Sequence, residues 1–537
     1  MPKITLNKKD TLKLIGKAIS DKQLSGAIPL IGTDLEKITK NEIEVEIFPN
    51  RPDMLSEEGF ARALSSFLGI KTGLKAYKVN KSNYKYKVDS KVKRIRPYCT
   101  AAIVKGLKFD KVSLAAIMNL QDKLHTTHGR NRKKVAMGVH DLSKIKFPLT
   151  YTTKPKSFKF RALEDKQEKT IQKILEEHPK GKDYAHLLNK SEVPIWMDAN
   201  NQVLSMPPII NSEETKVTLN TKEVFLDITG TDPIAMDQAL NILVTALADR
   251  GGKIYTVNKT PNLNPKKFKI NINTVNKLLG LNLTKPQIAK LASKMGLSYS
   301  PSNSTMSYPS FRADILSEVD IIEDLAIAYG YNKFETSIPN ISTIAEENPF
   351  EKFKNLIGEI CIGLNLQEVS SYHLSNNEDE TKKMNTKLET VRVINSISQE
   401  YNVLRPWIIP SLMNILKINR HNEYPQNIFE MGKVFIKKGT NIEEPTRLGI
   451  ALCNHNTDFT ESKKILDAIF SSLGLRPTYE TTEHGSFIPG RVARVSIKNK
   501  KVAYIGELHP KVIKNFNMDM PISAIELNLS EIFKILN

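Results

Sequence analysis

Two stretches rich in proline and asparagine, TPNLNPKK at 260–267 and a second at 338–349, interrupt this chain. Proline has no backbone N–H and a fixed φ, so neither stretch continues a helix or an inner strand. They divide a chain of 537 residues, too long for one hydrophobic core. At about 150 residues per domain, three or four domains are expected. The reading is a multidomain α+β chain: a small N-terminal α/β unit plus linker over 1–93, a mixed α/β domain over 94–260, a compact α+β unit over 267–336, and a C-terminal domain over 345–537.

Local patterns fill these segments. EIEVEIF (42–48) alternates charged and apolar residues, as a half-buried strand does. PNRPD follows as a turn, and SEEGFARALSSFLGI reads as a helix opened by Ser56 as N-cap with acids in its first turn. Residues 76–93, rich in Lys and Tyr, read as a linker or an exposed hairpin. AAIVKGL and EVFLDIT read as strands, and VSLAAIMNLQDKLHTTHG as a helix. EDKQEKTIQKILEEHPKGKDYAHLL reads as a surface helix laced with charge pairs.

Charge narrows the function. From Lys71 to Lys173 there are 27 Lys+Arg against 7 Asp+Glu, an excess equal to the +20 of the whole chain. A basic third beside neutral remainders is the footprint of a polyanion, and nucleic acid is favoured over a membrane surface. No apolar run approaches the ~18 residues of a membrane span, and the first ten residues lack the apolar stretch of a signal peptide. Cys99, Cys361 and Cys453 stand singly, so neither a disulfide framework nor a thiolate zinc site is expected, and a cytoplasmic setting is. Neither phosphate-cradling glycine loop occurs, nor a GxSxG elbow, nor an HExxH helix. His125 and His128 read as a polar helix end beside Gly129.

FRADILSEVDIIEDLAIAYGY (311–331) runs against the basic balance, with five carboxylates from Asp314 to Asp324. Ser317 and Asp320 fit a capping box. Ile321, Ile322, Leu325, Ala326 and Tyr329 fall on one arc of the helix, and Asp320, Glu323 and Asp324 on the other. Acids near a helix N-terminus are favourable by roughly 0.3–1 kcal/mol each without any ligand. Leu316 and Ile327 border the acids, which suggests an interface, with Asp314 close enough to join. Oxygen donors without His or Cys suit Mg²⁺ or Ca²⁺.

Six motifs in order resemble one family: EIFPNRPDMLSEEGFARAL, LQDKLHTTHGRNRKKVAMGVHDL, SMPPIINSEETKV with VFLDITGTD, YPSFRADILSEVDIIEDLAIAYGYNKF, NSISQEYNVLRPWIIPSLM and IFEMGKVF. They resemble the β subunits of phenylalanyl-tRNA synthetases of archaeal and eukaryotic type. The resemblance implies an α₂β₂ complex that attaches phenylalanine to tRNA(Phe) with ATP as substrate, aminoacylation lying in the α subunit. It implies Mg²⁺ held by Asp314, Asp320, Glu323 and Asp324 at the contact with that subunit. It also implies that 94–260 is a domain that hydrolyses tyrosine wrongly attached to the tRNA, with Ser205 and Asn211 lining its pocket and His125 and Arg130 near the tRNA end. The 267–336 unit would be winged-helix-like. The C-terminal domain would be a non-catalytic, class II synthetase-like antiparallel sheet with helices, in which Arg405 is structural. No Ser/His/Asp set is evident, so hydrolysis by positioned water is expected. The competing reading is a partner-free RNA-binding or scaffold protein that kept the fold, which the intact acidic quartet counts against.

Overall fold

Alternation in Glu42–Ile47 buries Ile43, Val45 and Ile47 and leaves the glutamates outward. This strand is the middle of an antiparallel three-stranded sheet with Lys3–Asn7 and Thr33–Ile38. The structure is a computed structural model and describes residues 2–188 and 190–537. Its residues form two compact units, 1–338 and 339–537. In the first, the NRPD turn leads into the helix Glu57–Phe67, whose N-cap Ser56 accepts from the Gly59 N–H. Gly59 lies so close to this turn that a Cβ would sit 1.7 Å from the Asp53 carbonyl oxygen. Only glycine allows that approach.

Two five-stranded sheets build the middle of the first unit. One has the order Val79–Asn80, Lys253–Thr256, Tyr98–Lys105, Glu223–Gly230, Val135–Asp141. The other has the order Ile210–Asn211, Val203–Met206, Glu192–Met197, Leu149–Pro155, Tyr86–Val88. The alternate faces of Glu223–Gly230 serve different neighbours. Val224, Leu226 and Ile228 join the core under the helices Lys111–Thr126 and Pro233–Asp249. Phe225 turns to the second sheet, where Trp196 stacks on Tyr151 at 5.0 Å and meets Phe225 edge-on at 6.0 Å. Such aromatic pairs add about 0.5–1.5 kcal/mol each to the area they bury.

Two expectations are corrected here. Residues 79–88 are no exposed hairpin, since Val79–Asn80 and Tyr86–Val88 pair in parallel with strands of different sheets. The charged stretch 164–188 is not one helix. Lys169–Thr170 pairs as a strand, Ile171–Glu177 is a helix, and a new helix begins at Pro179 with His178 as its N-cap. Proline at the first position starts a helix but cannot continue one.

The segment 266–329 places the helices Ile272–Leu279, Lys285–Lys294 and Glu318–Tyr329 against a three-stranded antiparallel sheet around Val275, Ile288, Met306 and Leu325. The second unit is built on a seven-stranded sheet, antiparallel except at Gln367–Glu368. Leu448, Ile450 and Leu452 face the helices Pro349–Gly363, Phe459–Ser472 and Leu529–Leu536, while Ala451 and Cys453 face Ile409–Asn419. Arg405 is 1% exposed; its Nη1 donates to Glu430 (2.7 Å) and Ser371 (2.8 Å), and its Nε to the Lys433 carbonyl (3.1 Å). Held by these three bonds, it anchors the sheet. Among the described residues no helix is long and apolar enough to cross a membrane.

Candidate functional site

EVFLDIT carries two acids, Glu223 at its half-buried start and Asp227 in its apolar middle, where it is 1% exposed. It sits opposite Gly138 in the register with the edge strand Val135–Asp141, and His140 follows two residues later on the same face. A Cβ on Gly138 would lie 2.5 Å from His140 Nε2 and 2.8 Å from Asp227 Oδ2. The glycine therefore makes room for an imidazole–carboxylate contact of 3.0 Å. Gly138→Ala is expected to destabilise this part of the fold by about 1–3 kcal/mol through overpacking, measured by hydrogen exchange of the Val135–Asp141 amides.

Ser205 completes the group: its Oγ donates to the same Oδ2 at 2.8 Å. His140 Nδ1 lies 2.8 Å from Thr215 Oγ1. A carboxylate only accepts, so His140 Nε2 donates to Asp227, while Nδ1 is paired with the Thr215 hydroxyl, which also lies 3.5 Å from the Leu204 carbonyl. Asp227 thus stands between Ser205 and His140. This is not the order in which an imidazole takes a serine proton. Nothing among the described residues donates to the other carboxylate oxygen, Oδ1.

Asp227 and Ser205 line a cavity of about 410 Å³ that also touches Asn211, His125 and Arg132. Asn211 is the cross-strand partner of Ser205. His125 forms wall, not base: its Nε2 accepts the Met137 N–H at 2.8 Å, which places its proton on Nδ1. Asp122 is 3.9 Å from Nδ1, beyond hydrogen-bond range. Burial pushes His125 down to about 4 against the pull of Asp122. The unfolded chain, with an imidazole near 6.5, takes up a proton first as pH falls. The stability from a neutral His125 is thus present above about pH 6.5 and lost towards pH 4. Between pH 7 and 5 the unfolding temperature is expected to fall further in the wild type than in His125→Gln, whose amide oxygen still accepts from Met137.

Arg130 does not reach the cavity. Arg130, Asn131 and Arg132 are all left-handed, with φ of 49°, 51° and 65°, and this turn leaves Arg130 exposed while bringing Arg132 inward. Arg132 donates to the Ile209 carbonyl (2.6 Å) and lies 4.4 Å from the Tyr184 ring centroid. Arg132, His140, Asp227 and Thr215 were missed in the sequence. Asp227, an acid between Leu226 and Ile228 inside an apolar strand, was the signal available.

The acidic helix has its expected cap: Asp320 Oδ2 accepts from the backbone of Leu316 (2.8 Å) and Ser317 (2.6 Å). Against partial burial, which raises it, these N–H groups hold the Asp320 carboxyl below its ordinary range. Asp324 is buried, 3% exposed, not on the outer arc. Arg312 is the reason. Equally buried, it holds Asp314 through two bonds (2.8 and 2.6 Å) and Asp324 through a third (2.9 Å). Burial works against its charge, and the two carboxylates more than offset this, raising its pKa well above the ordinary value. Glu323 is exposed, and Leu316 is 79% exposed beside it. Among the described residues no three such side chains converge as a metal site. The four acids therefore do not fit one ion: two face a guanidinium, one caps its helix and one faces outward.

Residues 81–263 match the B3/4 domain, 268–331 the tRNA synthetase B5 domain, and 334–529 the phenylalanyl tRNA synthetase beta chain CLM domain. The phenylalanine–tRNA ligase beta subunit of Pyrococcus horikoshii is 41% identical over 99% of this chain and all of its own length, and that of Pyrococcus abyssi 40% over the same shares. The crystal structure of an N-terminal fragment of the Pyrococcus horikoshii phenylalanyl-tRNA synthetase beta-subunit is 42% identical, covering 62% of this chain and all of the fragment, with a TM-score of 0.59. The chain belongs to the family of phenylalanine–tRNA ligase beta subunits.

Proposed function

We propose that this chain is the β component of a phenylalanine–tRNA ligase, joined to an α subunit as α₂β₂ in the cytoplasm, and that its two-sheet domain removes tyrosine wrongly attached to tRNA(Phe). ATP is the substrate of the complex, and the aminoacylation centre lies in the α subunit. The observation that carries the editing reading is a buried carboxylate, Asp227, lining a cavity of about 410 Å³ with its Oδ1 free of internal donors. The phenol O–H of tyrosine can donate to that oxygen, and phenylalanine has no such group. A site built to hydrogen-bond a hydroxyl discriminates strongly against the analogue lacking it. Ser205 and His140 hold the carboxylate, and Asn211 lines the wall beside Ser205. A positioned water attacks the ester; its C–O bond breaks, and tyrosine and the tRNA hydroxyl leave. Ser205 touches no imidazole, so no acyl-serine forms.

Mg²⁺ would meet this chain at Asp320 and Glu323, with the remaining donors from water and the α subunit, while Asp314 and Asp324 stay on Arg312. The test is co-expression with an α subunit followed by assay on preformed Tyr-tRNA and Phe-tRNA. The complex is expected to hydrolyse Tyr-tRNA selectively, and Ser205→Ala or Asn211→Ala to slow this by about tenfold with Phe attachment unchanged. Intact Tyr-tRNA after incubation with the wild type would refute the reading.

A further inference from the structure

Arg132, 8% exposed, lines the same cavity as Asp227, and recognition of the phenol does not involve it. Its Nη1 is occupied by the carbonyls of Pro208 (3.3 Å) and Ile209 (2.6 Å), and its guanidinium lies over the Tyr184 ring. Its Nε is buried without a partner. Its Nη2 makes no hydrogen bond but keeps accessible surface, and the Asp122 carboxylate is 4.0 Å away, beyond hydrogen-bond range. Burial lowers the Arg132 pKa, and Tyr184, Asp122 and Asp183 offset only part of this. A buried cation with one free donor at a cavity is matched by an anionic oxygen inside it. Two other cations on the cavity wall are held less firmly: Lys180 is exposed, and Lys216 reaches Glu213 only at 3.4 Å.

The hairpin 203–211 connects Arg132 to Asp227. Ser205 Oγ bonds Asp227, and Pro208, three residues on, accepts from Arg132. At ~3.3 Å per residue the two contacts lie roughly 10 Å apart. In a tyrosyl ester the phenol oxygen and the ester carbonyl oxygen are about 7 Å apart, so the ester fits between the two residues with a hydrogen bond at each end.

We propose that Arg132 Nη2 donates to the carbonyl oxygen of the tyrosyl ester as that oxygen becomes negative. This rests on the assignment of the cavity to Tyr-tRNA. Water adds to the carbonyl carbon, and the π pair of the C=O bond moves onto the oxygen facing Arg132. When that pair returns, the C–O bond to the ribose breaks; the ribose oxygen keeps the bonding pair and receives the proton that the water gave up. The two carbonyls on Nη1 fix the guanidinium beforehand, and a donor already in place needs no reorganisation during the reaction.

The test uses the complex with an α subunit, preformed Tyr-tRNA and two inhibitors built on tyrosyl-adenosine. One carries a neutral, planar amide in place of the ester, the other an anionic, tetrahedral phosphonate. Arg132→Gln is expected to lower kcat for Tyr-tRNA hydrolysis about a hundredfold, with KM changed by no more than about threefold. The wild type is expected to bind the phosphonate at least about tenfold more tightly than the amide. Arg132→Gln should lose that preference and bind the amide as the wild type does, which shows that the pocket is intact. An unchanged kcat, a phosphonate preference that survives in Arg132→Gln, or equal weakening of both inhibitors would each overturn the proposal while hydrolysis by the wild type leaves the editing assignment standing. A wild-type complex that does not hydrolyse Tyr-tRNA would overturn both.

Discussion

Asp227→Ala is expected to slow hydrolysis of Tyr-tRNA by the assembled complex about a hundredfold or more, with attachment of phenylalanine unchanged. The carboxylate is the only acceptor Ser205 Oγ and His140 Nε2 share, so removing it unpairs both and takes away the oxygen offered to the phenol. Asp227→Asn is the sharper comparison. Ser205 and His140 both donate to the Oδ2 position, so the amide oxygen must sit there and the NH₂ group takes the place of Oδ1. The phenol then meets a donor instead of a charged acceptor, and about a tenfold loss is expected. An equal loss of both activities would mean that Asp227 only supports the fold. Unchanged Tyr-tRNA hydrolysis in both variants would remove it from the site.

Arg312→Leu should cost about 3–5 kcal/mol, because it leaves Asp314 and Asp324 without the buried guanidinium that pairs with both. Changing Asp314 to Asn and Asp324 to Leu in the same chain is expected to recover much of that loss, since no unpaired buried charge then remains. A multidomain chain does not unfold in two states, so hydrogen exchange of the Glu318–Tyr329 amides is the measurement. In the isolated wild-type chain a chelator is expected to leave their protection unchanged. If the chelator opens this helix as far as Arg312→Leu does, a metal and not Arg312 neutralises the acids.

These two centres differ in how far the sequence shows them. The Ser317–Asp320 cap and the alternation of 42–47 depend on neighbours three or two residues away, and both are present as read. Asp324 was placed on the outer arc because a helical wheel sees only its own helix; Arg312 approaches from the preceding loop and draws it inward. The Ser205–Asp227–His140 group joins residues 22 and 87 positions apart through strand register, which no local pattern encodes. Ser205 and Asn211 came from the family resemblance of SMPPIIN alone; their pairing across the turn is visible only in the structure. That Arg132 and not Arg130 lines the cavity depends on three successive left-handed residues, which no local pattern shows. Val79–Asn80 and Tyr86–Val88 escaped notice for the same reason as the Ser205–Asp227–His140 group: their parallel partners lie 60 or more residues away in strands of two different sheets.

The most direct test of the whole account is the attachment of phenylalanine to tRNA(Phe), measured for an α subunit alone and for the same subunit co-purified with this chain. Attachment by the pair and none by the α subunit alone is the expected result. A pair that fails to assemble, or that assembles and attaches no phenylalanine, would contradict it.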